Sequence, residues 1–248
     1  MRGMVLMCLL LLLAACAGGS REREVVTPTG SGSSVATPVA ASPVRQKIVQ
    51  AALEEWHYFG QQLLTYPDGE ESIPHVGYWE DEFPYAARVG QYWLVAGRME
   101  LDGMDCSQPW SAAFISYIMQ SAGVREADFP ASEAHWRYLQ HIVQHSADDG
   151  ARFLPHDVRD YLPEAGDLIC ATRGEMAAPV ALHPEDADAL VHHKLHCDIV
   201  IRRDGSTLDA IGGNVRNSVS LSRLPLDRSG HLKPLPRRPW FLVIENRL

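Results

Sequence analysis

The sequence predicts an α+β fold, in which helices in the first half of the chain pack on an antiparallel sheet formed by the second half. Two observations support this prediction. Apolar residues recur at helical spacing as far as Val143, and short β-branched segments bounded by turn residues follow Gly166. The 248 residues, 46% of them hydrophobic, suffice for one well-cored domain. The net charge of −9 argues against a nucleic-acid partner, whose phosphates require a basic face.

The N-terminus resembles the leader of a bacterial lipoprotein. Arg2 precedes an apolar run from Met4 to Ala15, which is too short to span a bilayer comfortably. The run ends in Leu13-Ala14-Ala15-Cys16, which resembles a lipobox. The resemblance implies that Cys16 becomes a lipidated N-terminus and anchors the protein in the cell envelope, where Ala17 favours the periplasmic face of the outer membrane. The alternative is an ordinary signal peptide cleaved near Ala15.

A linker and one domain are expected to follow the leader, which occupies residues 1–16. Residues 17–43 are rich in Gly, Ser, Thr, Pro and Ala and contain no aromatic residue, Leu or Ile. Such a segment cannot bury enough apolar surface to offset its ordering entropy, so we expect a disordered tether. The folded domain is predicted to span residues 44–248.

Four amphipathic helices are predicted in the first part of this domain. They span about 45–65, about 84–98, about 111–122, and a segment that begins at an N-cap on Ser132 and runs through Val143. Gly123 lies just past the third helix, where a left-handed residue is favoured.

Five strands are predicted after Gly166. They span 167–172, 197–203, 206–212, 217–224 and 240–246. The Asp204-Gly205 pair predicts a hairpin turn between the second and third of these strands.

Three polar residues are predicted to meet at one end of the sheet. Ser111 opens the third helix, His196 precedes a strand, and Asn214 ends the next strand after two glycines. A hairpin brings His196 and Asn214 to the same sheet end, and a helix crossing that end would direct Ser111 at the imidazole. Free amides at the helix start would stabilise an oxyanion, His196 would act as base, and Asn214 would orient it. The alternatives are a helix cap for Ser111, a surface or capped histidine beside a strand for His196, and a turn residue for Asn214.

Four motifs, taken in chain order, resemble the papain-like amidases and peptidases of the NlpC and CHAP types. They are WSAAFI (110–115), AGDLI (165–169), HCDIV (196–200) and GGNV (212–215). PWSAAFISYIM, HCDIVI and IGGNV resemble more closely a bacterial family called domain of unknown function 2272. The resemblance implies a papain-like fold with Ser111 at the nucleophile position, His196 at the base position and Asn214 near the orienting position.

Ser111 stands where the superfamily has a cysteine, and because of this difference we consider two functions. A thiol with a pKa of about 8.5 ionises readily beside histidine, whereas a hydroxyl needs concerted base catalysis and a good oxyanion hole. We expect either an amide hydrolase acting on peptidoglycan or a peptide, or an inactive cleft that binds a cell-wall or protein partner. Cys106, in the loop before the helix, is the alternative nucleophile.

The remaining cysteines and histidines leave other chemistry open. Without the leader and Cys16, the free thiols are Cys106, Cys170 and Cys197, and any two of them could pair in an oxidising compartment. Cys106–Cys197 is one such pair. The segment HPEDADALVHHKLHC (183–197) contains zinc-type side chains without a recognised ligand spacing, so we expect neither a metal nor another cofactor.

Two arginine pairs, 202–203 and 237–238, have no interleaved aromatic residues. They are expected to be solvated surface rather than part of a nucleic-acid interface.

Overall fold

Four α-helices lie within the residues that the structure, a computed structural model, describes: 42–173 and 186–248. They are α1 (Pro43–Tyr58), α2 (Tyr85–Val95), α3 (Ser111–Ser121) and α4 (His135–Gln144). None of these described helices combines the length and apolar character needed to span a bilayer. The predicted leader with Cys16, and the linker up to residue 41, lie outside the described residues.

The strands of the described residues form one eight-stranded sheet in the order β2-β1-β7-β6-β5-β4-β8-β3. The strands are β1 (Gln62–Thr65), β2 (Ser72–His75), β3 (Phe153–Asp157), β4 (Leu168–Thr172), β5 (Leu195–Asp204), β6 (Thr207–Val215), β7 (Ser218–Pro225) and β8 (Trp240–Asn246). Every neighbouring pair is antiparallel except β1 and β7, which are parallel. The α+β class is therefore confirmed.

The first predicted helix is too long, and its end is a strand. Helix α1 ends at Tyr58 because Gly60 and Gln61 adopt left-handed backbone angles, with φ of 75° and 61°. Leu63, which fits the helical spacing, lies in β1 and pairs with Leu221 of β7. The predicted cap of α4 also differs, since Ala134 rather than Ser132 precedes the first helical turn.

Both faces of the sheet are buried, and the two faces have different partners. Helices α1, α3 and α4 cover one face, where Cys197 and Ile199 of β5 and Ile211 of β6 join the main core. The other face packs under the chain from Leu226 to Trp240. Since successive side chains of a strand alternate, His196 and Asp198 point away from the helical face.

Candidate functional site

Ser111 is the first residue of α3, and a glycine of the sheet brings it close to the strands. A Cβ atom on Gly213 would lie 2.5 Å from Phe114 Cβ and 2.7 Å from the Trp110 ring, so only glycine allows this approach of α3 to β6. The first amide of α3 that bonds back along the chain is that of Phe114, to the Trp110 carbonyl at 3.0 Å. The amides of Ser111 and the next two residues therefore have no intrahelical acceptor.

Ser111 is hydrogen bonded to His135, the first residue of α4. The Ser111 Oγ lies 2.7 Å from His135 Nε2, and His135 Nδ1 is hydrogen bonded to the Tyr138 hydroxyl. In the tautomer with the proton on Nδ1, the imidazole donates to Tyr138 and accepts the Ser111 hydroxyl at Nε2. This Ser–His–Tyr chain is buried and runs from the start of α3 into the first turn of α4.

The environment of His135 keeps its imidazole neutral. Burial lowers the pKa of His135 well below its ordinary 6.5, and the electrostatic effects of His196 and Arg173 lower it further. Burial also raises the pKa of the Tyr138 phenol well above its usual value. A neutral imidazole in contact with a hydroxyl is the state that a general base requires.

His196 belongs to a second buried chain of polar groups. Its Nε2 lies 2.7 Å from Asp198 Oδ1, and Arg238 Nη1 donates to Asp198 Oδ2 at 2.7 Å. Burial lowers the pKa of His196, while Asp198 offsets part of that effect. Burial alone would raise the pKa of the Asp198 carboxyl, but His196 and Arg238 hold it below its usual value.

The structure does not form the predicted contact between Ser111 and His196, because Ser111 is hydrogen bonded to His135 instead. Strand alternation turns His196 to the face of the sheet opposite α3, above Gly212. A Cβ on Gly212 would lie 3.1 Å from His196 Nε2 and 1.8 Å from Asp198 Oδ1. The two imidazoles still meet at the sheet end, where the ring centroids of His135 and His196 are 5.6 Å apart in an edge arrangement.

Asn214 lies at the end of β6 and connects the strand to the start of α3. It adopts a left-handed φ of 56°, and its Nδ2 donates to Glu80 Oε2 at 2.9 Å. The Trp110 indole donates to the same Glu80 oxygen. The hydrogen bond of the Asn214 amide therefore holds the loop around Ser111 and does not orient His196.

Two cavities adjoin at this end of the sheet. The larger, of 530 Å³, is lined by Ser111 and His135 together with Cys106 and Trp136, among others. The smaller, of 190 Å³, is lined by His196. Asn214 and Arg173 line both cavities.

The cysteines separate into a pair and a single thiol. Cys170 and Cys197 are directly opposite each other on β4 and β5 and form a disulfide. Cys106 is a free, exposed thiol whose Sγ lies 3.6 Å from the Gly103 carbonyl. The structure thus assigns Cys197 to Cys170, and the alternative pairing with Cys106 is not formed.

No group of three His, Cys, Asp or Glu side chains in residues 42–173 and 186–248 is arranged to hold a metal ion. Cys197 is bound in the disulfide, and the His192 ring packs at a tilted angle against Trp136. His183, at the start of the histidine-rich segment, lies outside the described residues.

Three polar residues of this candidate site are not singled out by the sequence: His135, Tyr138 and Asp198. His135 and Tyr138 are one helical turn apart in a strongly amphipathic segment, a spacing that is also typical of core side chains. Asp198 alternates with hydrophobic residues in β5, and only its period-two relation to His196 signals that the two share a face.

A family model described as an uncharacterized protein conserved in bacteria (DUF2272) matches residues 77–246. The match contains both polar chains, from Ser111 to Arg238. No curated protein and no solved structure matches the sequence significantly.

Proposed function

The chain belongs to the DUF2272 family of bacterial proteins, and we propose that it is a serine-dependent amide hydrolase of the cell envelope. The observation that carries the proposal is the 2.7 Å contact between Ser111 Oγ and His135 Nε2. This contact lies at the start of a helix and at the wall of the 530 Å³ cavity. Ser111 is the nucleophile, and His135 takes the role of base that the sequence suggested for His196.

The acylation step follows from this geometry. His135 Nε2 accepts the hydroxyl proton as Ser111 Oγ bonds to the amide carbonyl carbon. The amides at the start of α3 then donate to the resulting oxyanion. His135 passes its proton to the leaving nitrogen, the carbon–nitrogen bond breaks, and an acyl-serine ester remains.

Deacylation uses the same groups with water in place of the hydroxyl. His135 accepts a proton from a water molecule as the water oxygen bonds to the acyl carbon. Collapse of the second tetrahedral intermediate returns the proton to Ser111 Oγ and releases a carboxylic acid. His135 Nδ1 donates to the Tyr138 hydroxyl throughout, and this hydrogen bond keeps the imidazole in the productive tautomer.

His196 and Asn214, the base and orienting residues by resemblance, have a different task in this proposal. Both line the 190 Å³ cavity next to the Ser111 cavity. They contact the part of the substrate beyond the bond that is cleaved. The buried Asp198 carboxylate near the two imidazoles offsets the positive charge that develops on His135 during catalysis.

Two observations support the envelope setting and the papain-like assignment. A nucleophile at the start of a helix packed on a largely antiparallel sheet is the arrangement that the resemblance to papain-like amidases implies. The Cys170–Cys197 disulfide fits an exported protein, since disulfides persist in oxidising compartments. In this proposal Cys16 carries the lipid anchor, the protein faces the periplasm from the outer membrane, and the substrate is a peptide amide of peptidoglycan or of another peptide.

One observation favours a second candidate function, a cleft that binds a cell-wall or protein partner without cleaving it. Ser111 is only 1% exposed. A hydroxyl so deeply buried can serve as a structural hydrogen-bond partner of His135. The alternative nucleophile Cys106, which is exposed and lines the same cavity, would give a third outcome.

Turnover separates these candidates. The full-length protein and its Ser111→Ala, His135→Gln and Cys106→Ala variants are incubated with peptidoglycan fragments and with activated model esters. We expect Ser111→Ala to lower kcat/KM by about a thousandfold or more, and Cys106→Ala to leave it unchanged. Equal, background-level rates for wild type and Ser111→Ala, with peptidoglycan binding retained, would leave the binding cleft as the function.

A further inference from the structure

The smaller cavity concentrates positive charge on an otherwise acidic chain. Its lining includes four arginines, which are Arg173, Arg216, Arg237 and Arg238. The whole protein carries a net charge of −9. Positive groups gathered around a concave surface focus the electrostatic potential and attract anions. The expectation that the 237–238 pair is solvated surface is therefore wrong for Arg238, whose side chain is only 12% exposed.

Two of these arginines have carboxylate partners and two do not. Arg216 pairs with Glu71, and Arg238 pairs with Asp198 at 2.7 Å. Within the part of the chain that the structure describes, the side chains of Arg173 and Arg237 make no ion pair or hydrogen bond. Among the described residues, four guanidinium groups against two carboxylates give this cavity a net charge of +2.

Arg173 links this charge to the catalytic cavity. It follows the last residue of β4 and lines both cavities, as Asn214 does. Burial lowers the pKa of Arg173, and the charge of Arg238 lowers it further. The two guanidinium groups therefore repel each other, and an anion bound between them would relieve the repulsion.

We propose that the 190 Å³ cavity binds a carboxylate of the substrate, next to the bond that Ser111 attacks, so that the substrate is an acidic peptide. The planar fork of a guanidinium matches the two oxygens of a carboxylate, and no side chain among residues 42–173 and 186–248 occupies the donors of Arg173 and Arg237. Glu71 and Asp198 neutralise two of the four guanidinium groups, and the remaining charge of +2 can be balanced by one or two carboxylates of an acidic peptide. That the bound carboxylate belongs to a substrate rests on the proposed hydrolase function, whereas the existence of the carboxylate site does not.

Binding without turnover provides the test. The full-length Ser111→Ala protein is titrated calorimetrically at low salt with N-acetylglutamate, with its uncharged diamide and with inorganic phosphate. We expect N-acetylglutamate to bind at least about tenfold more tightly than the diamide, because only the acid supplies the charge-assisted hydrogen bonds. Adding Arg173→Gln or Arg237→Gln is expected to weaken the binding of N-acetylglutamate by about tenfold and to leave the binding of the diamide unchanged.

Arg228→Gln provides the matched control, since Arg228 is exposed and does not line the cavity. It removes the same charge from the molecule and is expected to leave binding unchanged. Arg237 is itself exposed, so its variant tests the site even where Arg173→Gln disturbs folding.

The outcomes separate this site from the hydrolase. Equal affinity for the acid and the diamide, or an acid affinity that neither arginine variant reduces, would overturn the carboxylate site. Tighter binding of inorganic phosphate than of N-acetylglutamate would overturn the choice of a carboxylate. Arginine-dependent carboxylate binding in a wild-type protein without turnover would support the site and contradict the hydrolase.

Discussion

At the residue scale, Ser111 and His135, the proposed nucleophile and base, are brought together only by the tertiary structure. They are 24 positions apart, on two different helices, and meet through a single 2.7 Å hydrogen bond. Ser111 could be singled out from the sequence because it opens a helix in a recognisable motif. His135 could not, because an imidazole one turn from a tyrosine in an amphipathic helix has the pattern of an ordinary core residue.

The pH dependence of activity tests the state of His135. The imidazole acts as a base only when it is neutral, and burial lowers its pKa well below 6.5. The imidazole therefore becomes protonated, and stops acting as a base, only when the pH falls through this lowered pKa. We expect kcat/KM to remain constant as the pH decreases from 7.5 through 6.5 and to fall only at lower pH.

The control for this profile is His196→Gln, which changes the other imidazole and retains the Ser111–His135 pair. Its acid limb should also lie well below pH 6.5. An acid limb at or above pH 6.5 in the wild-type protein would contradict a buried, neutral base.

At the element scale, two adjacent glycines of β6 allow close packing on opposite faces of the sheet. Gly212 makes room for the His196–Asp198 pair on one face, and Gly213 makes room for α3 on the other. The sequence motif GGNV is therefore explained by close packing rather than by a turn. The glycines determine where the helix start lies, and hence where Ser111 lies.

Substitution of Gly213 tests this packing. Gly213→Ala would place its Cβ 2.5 Å from Phe114 Cβ, so α3 must shift away from β6. We expect a loss of about 1–3 kcal/mol in the free energy of unfolding, as for other overpacked cores, together with a loss of activity. Denaturant titration and the turnover assay measure the two effects.

Gly90→Ala is the matched control, because Gly90 lies inside α2 and an added Cβ would have its nearest neighbour at an ordinary 3.4 Å. This variant should retain or gain stability, since alanine favours a helix over glycine by about 1 kcal/mol. A Gly213→Ala protein as stable and active as Gly90→Ala would contradict the packing argument.

The disulfide between β4 and β5 gives a second prediction at this scale. It closes a loop between residues 27 positions apart, with both cysteines fully buried. Replacing both by alanine should lower the free energy of unfolding by about 2–4 kcal/mol, as loss of a loop-closing bond does. Cys106→Ala should leave stability unchanged because that thiol is exposed and unpaired. Equal stability of the two variants in denaturant would contradict the pairing.

The local sequence pattern predicts a helix or strand well where the residues of that element themselves show the helical spacing or the β-branched composition. The five β-branched segments after Gly166 all form strands, and the helix at Ser111 begins and ends as its sequence indicates. Strands β1 to β3 were missed because they are short and contain few β-branched residues, and because β2 and β3 each include a proline. The parallel pairing of β1 with β7 joins residues more than 150 positions apart, a relation that no local pattern contains.

At the scale of the whole molecule, net charge and local charge have opposite signs. The chain is acidic, yet one end of its sheet gathers four arginines beside two buried histidines. The composition excluded a polyanion-binding surface but contained no information on this local cluster. Arg173, Arg216 and the 237–238 pair come from separate segments, and only the fold gathers them.

The family match covers the part of the chain that holds both polar chains and leaves α1 and the segments before it outside. The proposed function therefore depends on the sheet end that contains Ser111, His135 and His196. The lipid anchor proposed at Cys16 would determine where this site acts, whereas the site's chemistry depends on the folded domain alone.

The most direct test of the central claim, that Ser111 is a nucleophile activated by His135, is the site of covalent modification by a fluorophosphonate. The full-length protein is treated with the reagent, and the adduct is located by peptide mass spectrometry. We expect one adduct, on Ser111, which forms at least about a hundredfold more slowly in His135→Gln and at the wild-type rate in Cys106→Ala. A protein that remains unmodified, or an adduct on another residue with Ser111 intact, would contradict this claim.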